Sequence, residues 1–249
     1  DKQICLVGSE MCIRDRENPP MNRNLFILCI SFLGLLSNPV TAQDKTVNQT
    51  LSAFSEIKVF DGISVNLIPS EKNEAVIHGA NVEDVTILVS EGSLKIRMKV
   101  TKIFSGYRTF VDVYYRQPLR VIDVNEDARI ICKETIKQEV LEVKAQEGGE
   151  IQVQANVTQF LVKVVTGGVI KAAGGSKNQD VQINTGGNYR GKDFKTGFST
   201  VNVNAGSLAE IHATDYVKAT VKAGGEVLVY GDPAKMDEKT VFGGTIKRM

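Results

Sequence analysis

The sequence predicts an all-β chain whose larger part is a β-solenoid, a parallel β-helix-like stack with repeats of about 19 residues, preceded by more irregular β-strands. Three observations predict it. Glycine pairs recur at near-constant spacing in the C-terminal half, and apolar residues stand at fixed offsets from them. The apolar set is dominated by β-branched residues in short alternating runs, which favours strands.

Residues 1–20 are set aside. Within them residues 6–15 read LVGSEMCIRD, which resembles a translated transposase-type sequencing adapter. A segment of that origin takes no part in folding. Met21 then reads as the natural start. Residues 21–42 have the order of a secretory signal peptide. Asn22-Arg23-Asn24 is a positive n-region, residues 25–36 (LFILCISFLGLL) are an apolar run of 12 residues, and Val40-Thr41-Ala42 precede a cut at Gln43. The run falls short of the roughly 20 apolar residues that a membrane span needs. Cys29 lies inside the run rather than after small residues at its end, which argues against lipidation.

Residues 43–50 (QDKTVNQT) are polar and read as a flexible lead-in. The solenoid domain is expected over residues 51–249. Its first part holds alternating runs such as EIKVF, SVNLI, TILVS, LKIRMKV and TFVDVYY, each with the period of two of a strand. Asp61-Gly62, Glu91-Gly92, Gln117-Pro118 and Glu126-Asp127 separate them as turns.

The second part carries the repeat. Pairs stand at Gly148-Gly149, Gly167-Gly168, Gly186-Gly187, Gly224-Gly225 and Gly243-Gly244, with Gly206-Ser207 in the one gap. The steps are 19, 19, 20, 18 and 19 residues. Val143, Val162, Val181, Val201 and Ala219 stand five before the first glycine. Ala145, Val164, Ile183, Val203 and Val221 stand three before it, and Ile151, Ile170, Tyr189, Ala209, Val227 and Ile246 three after. Lys144, Lys163, Gln182, Asn202 and Thr220 lie between the first two columns. Each repeat is thus strand, glycine turn, strand, with one apolar face. A two-strand unit cannot bury that face alone, so coils must stack. An antiparallel meander with Gly-Gly turns shares the local pattern; coils with three faces and about 19 residues favour the solenoid.

Several chemistries are disfavoured. With 30 basic and 29 acidic residues, the chain lacks the basic excess of a nucleic-acid footprint. Cys5 and Cys12 fall in the set-aside leader and Cys29 in the signal, leaving Cys132 alone in the mature chain. One thiol cannot form an internal disulfide, so the fold must rest on its core. Cys132 follows Ile130 and Ile131 and reads as a small buried apolar residue. His78 and His212 have no ligand partners at metal spacing. No cofactor or metal is expected.

Carboxylates are the remaining candidates, since sugar-cleaving enzymes need two converging acids. Glu126, Asp127, Glu147 and Glu150 fall near turns of neighbouring coils. Their register does not persist: Glu150, Val169, Asn188, Leu208, Glu226 and Thr245 occupy equivalent places. They read as a solvated rim with ordinary pKa values. The columns Lys144, Lys163, Gln182 and Gln152, Lys171, Arg190 would form flat polar ladders, suited to a polymer or simply to solvent.

The order of these pieces resembles the putative auto-transporter adhesin head GIN domain family. Residues 54–70 (FSEIKVFDGISVNLIPS) resemble its first hairpin, and residues 85–100 (VTILVSEGSLKIRMKV) its next strands, with Gly92, Leu94 and Ile96 in the Gly-x-Leu-x-Ile step. Residues 111–124 (VDVYYRQPLRVIDV) resemble its strand, Pro-Leu, strand step at Pro118 and Leu119. Asn125-Glu126-Asp127 departs from a turn that often contains glycine in the family. The resemblance implies a β-solenoid in a cell-envelope or surface setting and supplies no catalytic residues.

The expectation is therefore a non-catalytic exported protein of the periplasm or outer surface of a Gram-negative bacterium. It would act as an adhesin-like binding or scaffold domain, with polysaccharide or another envelope protein as partner. The alternative is a carbohydrate-active hydrolase or lyase on a β-helix. Export should end in cleavage between Ala42 and Gln43. N-terminal sequencing of the exported protein should start at Gln43, and a membrane-bound chain retaining residues 25–36 would show an anchor instead.

Overall fold

A computed structural model describes residues 45–249. The set-aside leader, the segment read as a signal peptide with its expected cleavage site, and lead-in residues 43–44 lie outside the described residues. The strands in chain order begin with β1 (Val47–Thr50), β2 (Glu56–Val59), β3 (Ser64–Pro69), β4 (Glu74–Gly79), β5 (Val85–Ser90), β6 (Ser93–Met98), β7 (Thr109–Tyr115) and β8 (Val121–Val124). The long strands follow: β9 (Arg129–Ala145), β10 (Glu150–Val164), β11 (Val169–Ile183), β12 (Asn188–Asn204) and β13 (Leu208–Lys222). The chain closes with β14 (Glu226–Tyr230), β15 (Lys235–Val241) and β16 (Thr245–Arg248). Among the described residues there is no α-helix, and no helix is long and apolar enough to cross a membrane.

The glycine pairs make the corners of the coils. Gln146-Glu147-Gly148-Gly149 is a turn in which the Gly149 N–H donates to the Gln146 carbonyl at 2.9 Å. Its central residues have φ of 50° and 78°, so the turn needs left-handed backbone twice in succession. Glycine supplies the second of these at no steric cost. The other member of the pair has a different task. A Cβ on Gly149 would lie 2.9 Å from Val124 Cγ2, inside the packed core. Asn125–Ala128 makes the same turn without glycine, with Glu126 at φ 54° and Asp127 at 57°. The departure from the family pattern thus keeps the corner and accepts backbone strain there.

Such turns commonly close antiparallel hairpins. Here β9 through β14 pair in parallel, each with the next, which makes the stack a solenoid. The stack has about seven turns with roughly 19-residue spacing. The predicted columns face inward in register: Val162 pairs with Val181, and Val164 with Ile183. Val181 and Ile183 in turn pair with Val201 and Val203. All of these are buried, whereas Lys163, Gln182 and Asn202 are exposed. Within a coil the alternation slips at bends. In β10, Ile151, Val153, Ala155 and Val157 point inward, Thr158 and Gln159 are both exposed, and Phe160 resumes the inward series.

Two expectations for the first part are corrected. The segment around Asp61-Gly62 is not a hairpin, because β2 and β3 do not pair with each other. β2 lies between β6 and β8, and β3 between β7 and β9, all parallel. The coil containing residues 56–69 is therefore interleaved between two coils that come later in the chain. The antiparallel pairing is at β5–β6, β4–β7 and β1–β4, which finish that end of the stack. The polar stretch read as a flexible lead-in contains β1, which pairs with β4 along Val47–Thr50. Its composition misleads because it is an edge strand whose backbone satisfies β4 while its side chains stay mostly in water.

At the opposite end two of the columns turn polar. Ala219 pairs with Glu238, and Val221 with Thr240. The described residues form one compact unit with its own buried core. Burying an Ile-sized side chain contributes roughly 1.5–3 kcal/mol, and an unpaired charge in its place adds a further penalty of several kcal/mol. Ile183→Asp should therefore lower stability by about 4 kcal/mol or more and unfold the unit on mild heating. Gln182→Asp, one residue away, should stay within about 0.5 kcal/mol. Thermal melts of the pair check the register.

Candidate functional site

The ladder Gln152, Lys171, Arg190 lies in a groove rather than on a flat face. In-register pairing joins Gln152 to Lys171, Lys171 to Arg190, and Arg190 to Glu210. Beside this ladder β11 runs Ala172-Ala173-Gly174-Gly175, which leaves little side chain to fill the surface. β12 does the opposite. Its register slips between Arg190 and Lys195, so Lys192 and Asp193 bulge out as a wall. The result is a groove of about 400 Å³ whose floor includes Ala172 and Ala173. The bulge accounts for the one 20-residue step between glycine corners, and that irregular step was the signal that could have located the groove.

Its charges are mixed. Lys171 Nζ donates to Glu150 Oε1 at 2.6 Å, and Arg129 holds Glu150 Oε2 at 2.8 Å. Burial alone would raise the Glu150 carboxyl. The Lys171 hydrogen bond and the charges of Arg129 and Lys171 outweigh it and hold the group below the usual carboxylate range. Among the described residues no ion pair engages Arg190, Lys192, Asp193 or Glu210. The groove therefore offers two uncommitted cations, two uncommitted anions and the amides of Gln152 and Gln154. A second groove of about 490 Å³ lies where Pro69 and Tyr115–Pro118 meet Thr135–Gln138 of β9.

The four carboxylates singled out in sequence do not converge. Glu150 is turned onto the flank beside Arg129 and Lys171. Asp127 Oδ2 accepts from the Tyr107 hydroxyl at 3.0 Å. Glu126 and Glu147 do share a corner, together with Asp61, which sequence reasoning missed. Asp61 is buried, and its carboxylate accepts the Met98 N–H at 3.0 Å and the Phe104 N–H at 3.3 Å. Glu126 departs from the expected wet-rim behaviour: partial burial, then the neighbouring Asp61 and Glu147, raise its carboxyl above the ordinary range. Neither groove is lined by Glu126, Asp127 or Glu147.

Other candidates are structural. Cys132 is buried, and burial pushes its thiol up to about 12, so it carries no thiolate at neutral pH. His78 stacks on Phe110 with ring centroids 5.6 Å apart and lies 3.5 Å from Asp112. His212 Nδ1 sits 3.0 Å from the Lys192 carbonyl. Among the described residues no group of three His, Cys, Asp or Glu is arranged to hold a metal ion.

Parallel coils with glycine corners and an interleaved, antiparallel-capped first part define a β-solenoid head module with a polar groove on its flank. A family model described as "Putative auto-transporter adhesin, head GIN domain" matches residues 53–233. The chain belongs to this family. Solved structures share the fold. A "putative adhesin" from Bacteroides fragilis has TM-score 0.77 at 16% identity, covering 84% of this chain and 98% of that one. A "putative lipid binding protein" from Parabacteroides distasonis has TM-score 0.62 at 13% identity with the same coverage. A "putative adhesin" from Parabacteroides merdae has TM-score 0.58 at 18% identity, covering 84% and 97%. No curated protein matches the chain.

Asp123 gives a pH test of the corner. Burial raises its carboxyl above the usual range, although Gln146 and Asn125 donate to Oδ1 at 3.2 and 3.1 Å and Lys58 and Lys144 favour the charge. A carboxyl raised by folding binds its proton more readily folded than unfolded. That contribution to stability is lost as pH climbs from the ordinary Asp range through the raised value. Asp123→Asn keeps an Oδ1 acceptor and removes the charge. It should raise Tm at pH 7, and the gain should vanish near pH 3, about where the carboxyl is protonated in both states. Thermal melts at the two pH values check this.

Proposed function

We propose that the chain is an exported, non-catalytic binding module of the cell envelope that holds a polar polymer along the Gln152–Lys171–Arg190–Glu210 groove. The observation that carries this reading is the groove itself, in which a bulged wall and a small-residue floor leave charged groups free of internal partners. The proposed ligand is a polysaccharide. Sugar hydroxyls both donate and accept, and the groove presents donors and acceptors side by side, repeated coil by coil at about 4.8 Å. Family membership and the adhesin names of the solved relatives support a binding role at an envelope or surface location. The apolar run and cleavage pattern of residues 21–42 support export.

One observation favours the catalytic alternative. Glu126 has a raised carboxyl beside Asp61 and Glu147, the setting of a general acid. Against it, Asp61 is buried and spent on two backbone N–H groups, and Asp127 is bonded to Tyr107. Neither groove reaches this corner.

A glycan array probed with residues 44–249 should reveal binding. An Arg190→Ala, Lys192→Ala double variant should weaken it at least about tenfold, the cost of losing one or two charged hydrogen bonds, without changing Tm. Binding that survives the double variant would place the ligand elsewhere. Reducing-end release from a glycan that disappears in Glu126→Gln would establish the enzyme instead.

A further inference from the structure

One corner differs from all the glycine turns. Between β6 and β7, residues 99–108 replace the four-residue turn with a longer loop. Val100, Ile103, Phe104 and Tyr107 on it are 76, 48, 53 and 58% exposed, and Phe110 at the start of β7 is 40% exposed. Side chains of this size seldom gather on a surface without a partner. Residues 99–111 also carry Lys99, Lys102 and Arg108 and no acidic residue. Lys99 reaches Asp84 at 3.5 Å. Among the described residues no carboxylate pairs with Lys102 or Arg108.

The loop is fixed in this outward shape. The buried Asp61 side chain accepts the Met98 and Phe104 N–H groups, and its carbonyl accepts the Gly106 N–H at 3.0 Å. Asn81 Nδ2 donates to the Ser105 carbonyl at 3.2 Å. The Tyr107 ring covers Gly62, and its hydroxyl bonds to Asp127. Phe104 is held at φ 59°, a strained value for an aromatic residue. A buried carboxylate and a strained backbone thus hold apolar side chains in water. Nothing in the solenoid requires this, since the stacked corners of the Gln146–Gly149 and Asn125–Ala128 type turn in four residues.

We propose that this loop docks on an anionic lipid leaflet. Ile103 and Phe104 would enter the boundary between headgroups and acyl chains, and Lys102 and Arg108 would meet lipid phosphates. The loop's own residues carry cations and no carboxylate, and the neighbouring Asp84 and Asp127 are engaged by Lys99 and Tyr107, so the tips match that surface in polarity and charge. The alternative occupant, a protein, fits less well. Stable protein interfaces engage roughly 20–30 residues a side, whereas this patch is one projecting loop. Binding through a single loop of this size is reversible and depends on the leaflet's charge. It stands apart from the groove on β10–β13, and the two are tested separately.

The chain contains no Trp, so Phe104→Trp provides a single fluorescent reporter in residues 44–249. Vesicles of equimolar phosphatidylcholine and phosphatidylglycerol should shift its emission to the blue, and pure phosphatidylcholine vesicles should not. Adding Lys102→Gln and Arg108→Gln should weaken vesicle binding about tenfold or more. Phe242→Trp, an exposed position at the other end of the stack, should show no shift. Ile103→Trp is the second reporter should Phe104→Trp lower Tm. No shift from either loop reporter on anionic vesicles, an equal shift on neutral ones, or an equal shift at position 242 would overturn the proposal. So would stoichiometric burial of the reporter by a protein with vesicles absent.

Discussion

The structure depends on hydrogen bonding between turns, not only between strands. The Gly148 N–H donates to the Thr166 carbonyl at 3.1 Å, Gly167 to Thr185 at 3.1 Å, and Gly186 to Ala205 at 3.1 Å. The series continues into the first part, where Asp127 donates to Glu147 and Gly62 to Glu126. Each corner in this series must therefore keep the same shape as the corner above it. A turn of another type would leave its N–H and C=O groups unpaired and shift the register of both flanking strands, turning inward residues out. The constraint explains why a corner without glycine, at Glu126-Asp127, still adopts two left-handed residues.

Fixed register also dictates the core. Columns of Val and Ile stack easily, but larger residues need local compensation. Tyr189 is buried on the column shared by Ile170 and Ala209. Gly191 leaves room for its ring, since a Cβ there would collide with it. Its hydroxyl accepts from Gln179 Nε2 at 2.6 Å, and Gln179 Oε1 accepts from Ser199 Oγ at 3.3 Å. Ser199 meets Thr196 Oγ1 at 2.7 Å, which donates to the His212 carbonyl. This buried chain of hydroxyls and amides satisfies polar groups whose burial without partners would cost about 1–3 kcal/mol each. It links β11 to β13, three of the strands that also carry the groove.

What the sequence reveals is what repeats. Corner glycines and the Val164, Ile183, Val203, Val221 column are legible because each coil faces the same steric demand. The interleaving of residues 56–69 leaves no periodic trace, since a parallel rung looks the same whichever coil lies beside it. The groove was half legible. Gln152, Lys171 and Arg190 formed a visible column, but a column says nothing of depth, which comes from the Lys192-Asp193 bulge and the Ala172-Ala173 floor. Asp61 was hidden for another reason. It reads as an ordinary turn residue, and only the folded chain shows its carboxylate serving a loop some 40 residues later, at Phe104.

The two polar positions in the columns of the last coil have a consequence for assembly. A stack in which every layer templates the next resembles a growing crystal, and it shares its interlayer spacing with cross-β fibrils. Glu238 and Thr240 sit where a further layer would need apolar side chains, and the antiparallel strands β1, β4 and β5 present the wrong polarity at the other end. One end of the stack places a carboxylate in an apolar column, and the other runs its last strands against the direction of the coils. A second molecule placed end to end would meet Glu238 where the coils below stack Ala219 and Val201, so the apolar columns would not continue across the junction in register.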